Sequence, residues 1–274
     1  MANDVPTIRS FRSAPVIETV LSIQFKPIPN FTVPHFGIFW KEIREEFPRP
    51  EIKPPILHMI EEFSPGPSQR SSVIDINIPT ERAIRYWFLD KTGNTFIQLQ
   101  QDRFIYNWQR LKDSDEYPRY RATRSKFLAE WNKFCAFLEK EKLATPEIDQ
   151  CEVTYVNHIK YADGWNSYGE LSKVISYWSG KSSGLFLQAP EKVNINVRYT
   201  MPNNQGRLYV ALQPVIRARD AMEVLQLNLT ARGAPASSKT EDAFKWLDLG
   251  RHWIVEGFTD FTTDDMHNLW GLER

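Results

Sequence analysis

The chain has 274 residues, enough for one large or two moderate domains, with 42% hydrophobic, 25% charged and 13% aromatic residues, the balance of an ordinary globular protein rich in large packing surfaces. Lys+Arg and Asp+Glu are equal at 34 each, so no global field draws the chain to nucleic acid or to an anionic membrane. The start, Met1-Ala2-Asn3-Asp4-Val5-Pro6, lacks a basic region followed by an apolar stretch, and no apolar run reaches membrane-spanning length; a soluble cytoplasmic protein with no membrane partner is expected.

Residues 16 to 25 alternate apolar Ile17, Leu21, Ile23 and Phe25 with the other parity and read as a strand. A helix follows, with Thr32 as cap, Pro34 in its first turn and Phe36, Phe39, Trp40, Ile43 and Phe47 at helical spacing. The Pro-rich stretch 48–72 cannot be regular helix and is expected as a long loop running extended over the surface. Strands are predicted at Val73–Ile78, Ala83–Leu89 and, after a Gly93-Asn94 turn, Thr95–Trp108. The last is too long to be simple. Ile97 and Leu99 lie on one parity, and Phe104, Tyr106 and Trp108 on the other, so a bulge or tight turn near Gln101-Asp102 must restore the apolar face and place Gln98, Gln100, Arg103 and Asn107 together opposite it. A helix over 119–142 with Phe127, Trp131, Phe134 and Leu138 closes the half.

From residue 150 the order begins again. Cys151, Val153, Tyr155, Asn157 and Ile159 alternate on a strand, and Ser167-x-x-Glu170 reads as a capping box opening a helix that buries Leu171, Val174, Ile175 and Trp178. Strands follow at 192–200, 207–216 and 222–230, then a helix capped by Ser238-x-x-Glu241 and a terminal one introduced by Thr262-x-x-Asp265. The expected class is α+β: two pseudo-repeated halves, 1–148 and 149–274, each reading strand, helix, antiparallel strands, helix, with helices on one face of a curved antiparallel sheet that both halves share. This order resembles the helix-grip arrangement of the TATA-binding-protein-like and Bet v 1-like folds.

Several segments carry a wider resemblance: Ala14-Pro15-Val16-Ile17-Glu18, Phe25-Lys26-Pro27, Phe39-Trp40, Gln100-x-Asp102-Arg103-Phe104-Ile105-Tyr106-Asn107-Trp108, Tyr117-Pro118-Arg119-Tyr120, Cys151 to Ile159, and Met266-His267-x-x-Trp270-Gly271. On these the chain resembles a sporadically distributed, functionally unassigned bacterial protein family of similar length. Such patchy distribution is typical of mobile or defence-related gene islands; the resemblance implies no chemistry.

Motifs for catalysis are lacking. No Gly-x-Ser-x-Gly, Walker loop or dinucleotide fingerprint occurs, so no cofactor and no catalytic set is expected. His252 and His267 lack ligand spacing, and Cys135 and Cys151 stand on different elements without Cys-x-x-Cys or Cys/His spacing, so no metal site and reduced thiols are expected. Glu152 and His158 share a strand face but stand ~20 Å apart by strand rise, too far for an acid/base pair. The stretch from Arg103 to Arg124 interleaves arginines with Tyr106, Trp108, Tyr117 and Tyr120, a mixture that holds phosphates and stacks bases, but Asp102, Asp113, Asp115 and Glu116 dilute it.

The distinctive feature is side-chain amides at every second strand position: Asn194 and Asn196 with Arg198, Gln98 and Gln100, Gln226 and Asn228. Amides offer donors and acceptors without charge, which suits recognition, whereas Lys and Glu serve solubility; amide ladders that hold register are the structural alternative. The leading expectation is a non-enzymatic protein whose amide-rich sheet face, Gln98, Gln100, Arg103, Asn107, Asn194, Asn196, Arg198, Gln226 and Asn228, meets a protein partner in a mobile defence or toxin-neutralising locus. A second expectation is a small-ligand or nucleotide cavity between sheet and helix lined by Arg103, Tyr106, Asn107, Trp108 and Tyr155. A third is nucleic acid bound on a saddle-shaped sheet. The sequence carries no signal of oligomeric state.

Overall fold

A computed structural model of the chain describes residues 8–63, 84–161, 163–179 and 186–273. The strands are β1 (Ser10–Phe11), β2 (Val16–Phe25), β3 (Arg49–Lys53), β4 (Arg85–Leu89), β5 (Thr95–Gln100), β6 (Arg103–Gln109), β7 (Ile148–Lys160), β8 (Ile195–Thr200), β9 (Arg207–Ile216), β10 (Glu223–Gly233) and β11 (Leu272–Glu273). The α-helices are α1 (Val33–Ile43), α2 (Arg119–Lys140), α3 (Thr240–Phe261) and α4 (Asp264–Trp270). The class is α+β, as expected. The strand expected at 73–78 lies outside the described residues, as does the start of the one at 83–89.

Nine strands form one curved antiparallel sheet in the order β3-β4-β5-β6-β2-β7-β10-β9-β8. The two halves meet at β2 and β7, which pair antiparallel through Leu21–Val153 and Ile23–Cys151. Outward from that pair the order is symmetric: β6, β5 and β4 on one side answer β10, β9 and β8 on the other. The repeat in element order therefore appears in space as a pseudo-two-fold arrangement, to which β3 is the one addition.

The long strand expected at 95–108 divides at Gln101-Asp102 into the hairpin β5–β6, paired from Thr95–Trp108 to Gln100–Arg103. That turn restores the apolar parity, as the alternation requires. The Pro-rich stretch departs from a plain surface loop: residues 49–53 add β3 to the sheet edge against β4, and residues 54–63 run extended across one sheet face. Pro50 is tolerated because β3 is an edge strand.

The helix expected from Ser167-x-x-Glu170 is only a 3-10 turn over Tyr168–Lys173. Glu170 accepts from the Asn166 backbone N–H at 2.8 Å, while the Ser167 hydroxyl makes no cap bond. Thr240, not Ser238, opens α3, because the Ser238 hydroxyl donates instead to the Ile148 carbonyl at 2.9 Å. Thr263 rather than Thr262 caps α4, which ends on Gly271 in the left-handed region at φ 67°.

Helices α1, α2 and α3 cover the other face of the sheet. Beneath α1 and α2 the core is aromatic: Phe25, Phe31, Phe39, Phe104, Trp131 and Phe137 all lie within 6.5 Å, centroid to centroid, of a neighbouring ring in this cluster, with Phe134 at its centre. Beneath α3 it is aliphatic, built from Val153, Leu208, Val210, Leu227, Leu229, Leu247 and Ile254. Burial of these side chains is what orients the sheet, and it leaves the second parity of each strand for another use. No helix of the described residues is long and apolar enough to cross a membrane.

Candidate binding face

Strand pairing places the expected amide residues with certainty, since residues opposite one another across a ladder share a face. One row runs Asn107–Val20–Thr154–Thr230–Tyr209–Arg198 from β6 to β8. A second runs Gln100–Arg103–Gln24–Gln150, and a third joins Val156, Asn228, Ala211 and Asn196. Gln98, Gln100, Arg103, Asn107, Asn196, Arg198, Gln226 and Asn228 therefore all project from the face opposite the helices, and Asn194 is exposed just before β8. Trp108 and Tyr155 do not. Both lie on the helix-covered face, where Trp108 packs on Tyr117 at 5.4 Å and Tyr155 accepts a hydrogen bond from the Tyr117 hydroxyl at 2.9 Å. Their parity with the core residues of β6 and β7 is the reason.

The face divides into three parts. At the β4–β6 edge the amides are spent on one another: Arg85 and Trp87 donate to Gln98 at 2.7 and 3.0 Å, Gln98 donates to Asn107 at 2.7 Å, and Asn107 donates to Glu18 at 2.9 Å. Asn107 is 1% exposed, and the relay holds register rather than meeting a partner, which corrects the expectation for Gln98 and Asn107. Burial raises the Glu18 carboxyl above its ordinary value, against the lowering effect of its bond from Asn107.

In the centre, the row Gln100–Arg103–Gln24–Gln150 lies under the extended segment 54–63. Gln100 accepts from the Ile56 N–H and donates to the Ile56 carbonyl, each at 2.9 Å. Arg103 donates to the Leu57 carbonyl at 3.0 Å and also to Gln24. Gln24 accepts from the Met59 N–H at 3.2 Å and donates to its carbonyl at 2.9 Å. Gln150 accepts from the Glu61 N–H at 2.8 Å and donates to the Met59 carbonyl. The segment thus crosses strands β5, β6, β2 and β7 at one register row, its main chain held by side-chain amides. Five extended residues reach about 17 Å, enough to cover three inter-strand gaps of about 4.8 Å each.

Charge fastens the same segment. His58 lies 2.9 Å from Asp102 and 3.2 Å from Asp149, and these hydrogen bonds, Asp102 first, push its imidazole up to about 9. Burial works to raise Asp149, but its bonds from His58 and Gln24 hold the carboxyl below its ordinary value. Farther on, Glu61 accepts from Tyr209 at 2.6 Å and from Arg207, and Arg232 lies 3.6 Å from it while binding Glu152 at 2.6 Å. The Arg207 guanidinium stacks on Phe63, 4.1 Å from the ring centroid. The backbone faces the sheet and the apolar side chains face out: Leu57, Met59 and Ile60 are 63%, 45% and 57% exposed.

The third part, toward β8, is uncovered by this segment. His158 meets Gln226 at 3.2 Å, while Asn228 Oδ1 and His158 Nδ1 are buried without a hydrogen-bond partner among the described residues. Burial, the largest influence, lowers the His158 imidazole below its ordinary value. Asn196 and Arg198 stand exposed beside them.

Gln24, Gln150, His58, Asp149 and Glu61 complete the central arrangement and were not among the expected site residues. Gln24 and Gln150 were findable as polar members of the non-core parity of β2 and β7; His58 and Glu61 were not, because nothing local ties an irregular segment to a sheet face. Arg103, Tyr106, Asn107, Trp108 and Tyr155 do not line one cavity: Arg103 and Asn107 lie on the opposite face, and of the five Tyr155 alone lines a cavity between sheet and helices. Among the described residues no cluster of His, Cys, Asp and Glu is arranged to hold a metal ion. Cys135 and Cys151 are free, and burial pushes the Cys135 thiol up to about 11.

No family model matches the chain, and no curated protein matches it. Among solved structures, the chain is similar to the di-domain ARO/CYC StfQ from the steffimycin biosynthetic pathway at 11% identity, over 65% of this chain and 72% of that one, with a TM-score of 0.18, a likeness too slight to carry an argument.

Proposed function

We propose that the chain is a non-catalytic binding protein whose amide-bearing sheet face takes up extended polypeptide, and that the part of the face carrying Asn196, Arg198, Gln226 and Asn228 receives a segment of a partner protein. The observation that carries this reading is the bidentate hold of Gln24 on Met59 and of Gln100 on Ile56. An amide that both donates to and accepts from one peptide unit recognises main chain of any sequence, and a row of them recognises an extended strand of it. Segment 54–63 already occupies the central row, so among the described residues the neighbouring amides are the ones left for a second chain. The outward Leu57, Met59 and Ile60 add exposed apolar surface on the same side of the sheet. Arg207 and Arg232 on the same face are paired with Glu61 and Glu152, which favours a polypeptide over a nucleic acid, whose binders keep their cations free for phosphate. A cytoplasmic setting within a defence or toxin-neutralising locus belongs to the same reading.

The test is affinity purification of the tagged chain from its native host, side by side with the triple variant N196A/Q226A/N228A. A stoichiometric partner retained by the first and lost by the second is the expected result. A chain that purifies alone, or a partner indifferent to the triple variant, overturns the proposal.

A further inference from the structure

On the helix-covered side a cavity of about 500 Å³ opens where six elements meet: β1 and β11, the ends of β2 and β7, the start of α2 and the middle of α3. That volume lies within the range of roughly 300–1,000 Å³ typical of small-molecule sites. Its apolar wall is Phe11, Val16, Ile254, Val255 and Phe258. Its charged groups are mostly of one sign, beside the neutral polar Ser10, Tyr117, Tyr120, Tyr155 and Asn157. Arg9, Arg119, Arg121 and Arg251 line it, against a single carboxylate, Glu273.

Most of these groups already have work. Arg119 donates to the Phe11 and Arg12 carbonyls at 2.8 and 3.1 Å, Arg9 lies 3.4 Å from Glu256, and Glu273 accepts from Ser10 at 2.8 Å. Arg251 differs. Its guanidinium rests over the Tyr120 ring at 5.2 Å, its Nε is buried without a hydrogen-bond partner, and it pairs with no carboxylate among the described residues. The residue is half-buried, and a guanidinium N–H shielded from water without an acceptor costs free energy that a bound anion would offset. Beside it, Tyr155 accepts its hydrogen bond from Tyr117 at 2.9 Å, which leaves the Tyr155 O–H as a donor for a further group.

We infer that this cavity binds a small organic carboxylate with an apolar body, its carboxylate at Arg251 and Tyr155 and its body along Val16, Ile254 and Phe258. A guanidinium and a phenol O–H together match the two oxygens of a carboxylate, and the apolar wall gives a free inorganic anion nothing to hold. The site lies across the sheet from the amide face and does not depend on the function proposed for that face.

Titration calorimetry with octanoate, and with octan-1-ol as its neutral counterpart, tests the inference on the full chain. One equivalent of octanoate is expected to bind, octan-1-ol at least about tenfold more weakly, and Arg251→Gln is expected to weaken octanoate by about tenfold. Absence of octanoate binding up to about 1 mM, equal binding of the alcohol, or unchanged binding in the variant overturns it. Should Arg251→Gln not fold, Val255→Trp, which fills the cavity from its rim, carries the test: loss of octanoate binding at an unchanged melting temperature supports the site, and retained binding overturns it.

Discussion

Gln24 holds Met59 by both ends of its amide: the Met59 N–H donates to Oε1 at 3.2 Å, and Nε2 donates to the Met59 carbonyl at 2.9 Å. The two residues belong to different kinds of structure, a central strand and an irregular segment, and the contact makes the segment part of the fold. A side chain here does what a neighbouring strand does elsewhere in a sheet.

Substituting these amides should release the segment locally. In Gln24→Ala the Met59 amide proton, and in Gln100→Ala that of Ile56, loses its only acceptor on the sheet, so its hydrogen exchange should accelerate by about tenfold or more, in line with about 1–2 kcal/mol per hydrogen-bonded group. Exchange in β2 and β6 should stay slow. Equal acceleration throughout the sheet would show the amides holding the whole fold instead.

Hold on the segment should depend on pH in a definite direction. The His58 pKa in the folded chain is raised from 6.5 to about 9, so its contribution is fully present below 6.5 and is lost as pH rises through about 9. Asp149, held below its ordinary 3.8, contributes above that value and loses its contribution as pH falls below it. With the imidazole partly open to solvent, the His58 share is about 1–2 kcal/mol. Proton NMR should place the His58 titration near 9, and His58→Gln should remove the alkaline loosening of residues 54–63. A titration near 6.5 would break the link.

The aromatic core has a centre. Phe134 is fully buried and meets Phe25, Phe39, Phe104 and Trp131 at 5.1 to 6.0 Å between ring centroids. Phe134→Ala should cost about 3–5 kcal/mol in urea unfolding, because rings on four elements cannot all collapse into the space left.

Gly37 sits exposed within α1, and a methyl group there would meet nothing within 4 Å. Gly37→Ala should therefore stabilise the chain by about 0.5–1 kcal/mol, seen as a raised melting temperature, because it removes backbone freedom from the unfolded state without a clash.

Much of this was legible in residue order. The period-2 alternation of β2, β6 and β7 set which parity met the helices, and the switch between Leu99 and Phe104 located the hairpin at Gln101-Asp102. The sharing of one face by Gln98 and Gln226 followed from the same alternation together with antiparallel pairing, while Asn194, expected with them, stands exposed just before β8. Capping signals were weaker guides. Ser167 and Ser238 matched the pattern, yet the first headed only a short 3-10 helix of six residues and the second bonded a neighbouring strand, since the Ser238 hydroxyl takes the partner that the tertiary structure brings near.

By itself the order of residues determined the alternation of apolar and amide positions, and with it the class and the two-sided sheet, because side-chain direction in a strand is a local property of the backbone. Only the tertiary structure decided what each amide does. Gln98 and Asn107 bond one another, Gln24 and Gln100 hold Met59 and Ile56, and Asn196 stands open, three outcomes for the same residue chemistry. The difference lies in where residues 54–63 cross the sheet. That crossing rests on contacts between residues far apart in the chain, such as Gln24 with His58, 34 positions apart, and Tyr209 with Glu61, 148 apart, and no periodicity in a local window records it.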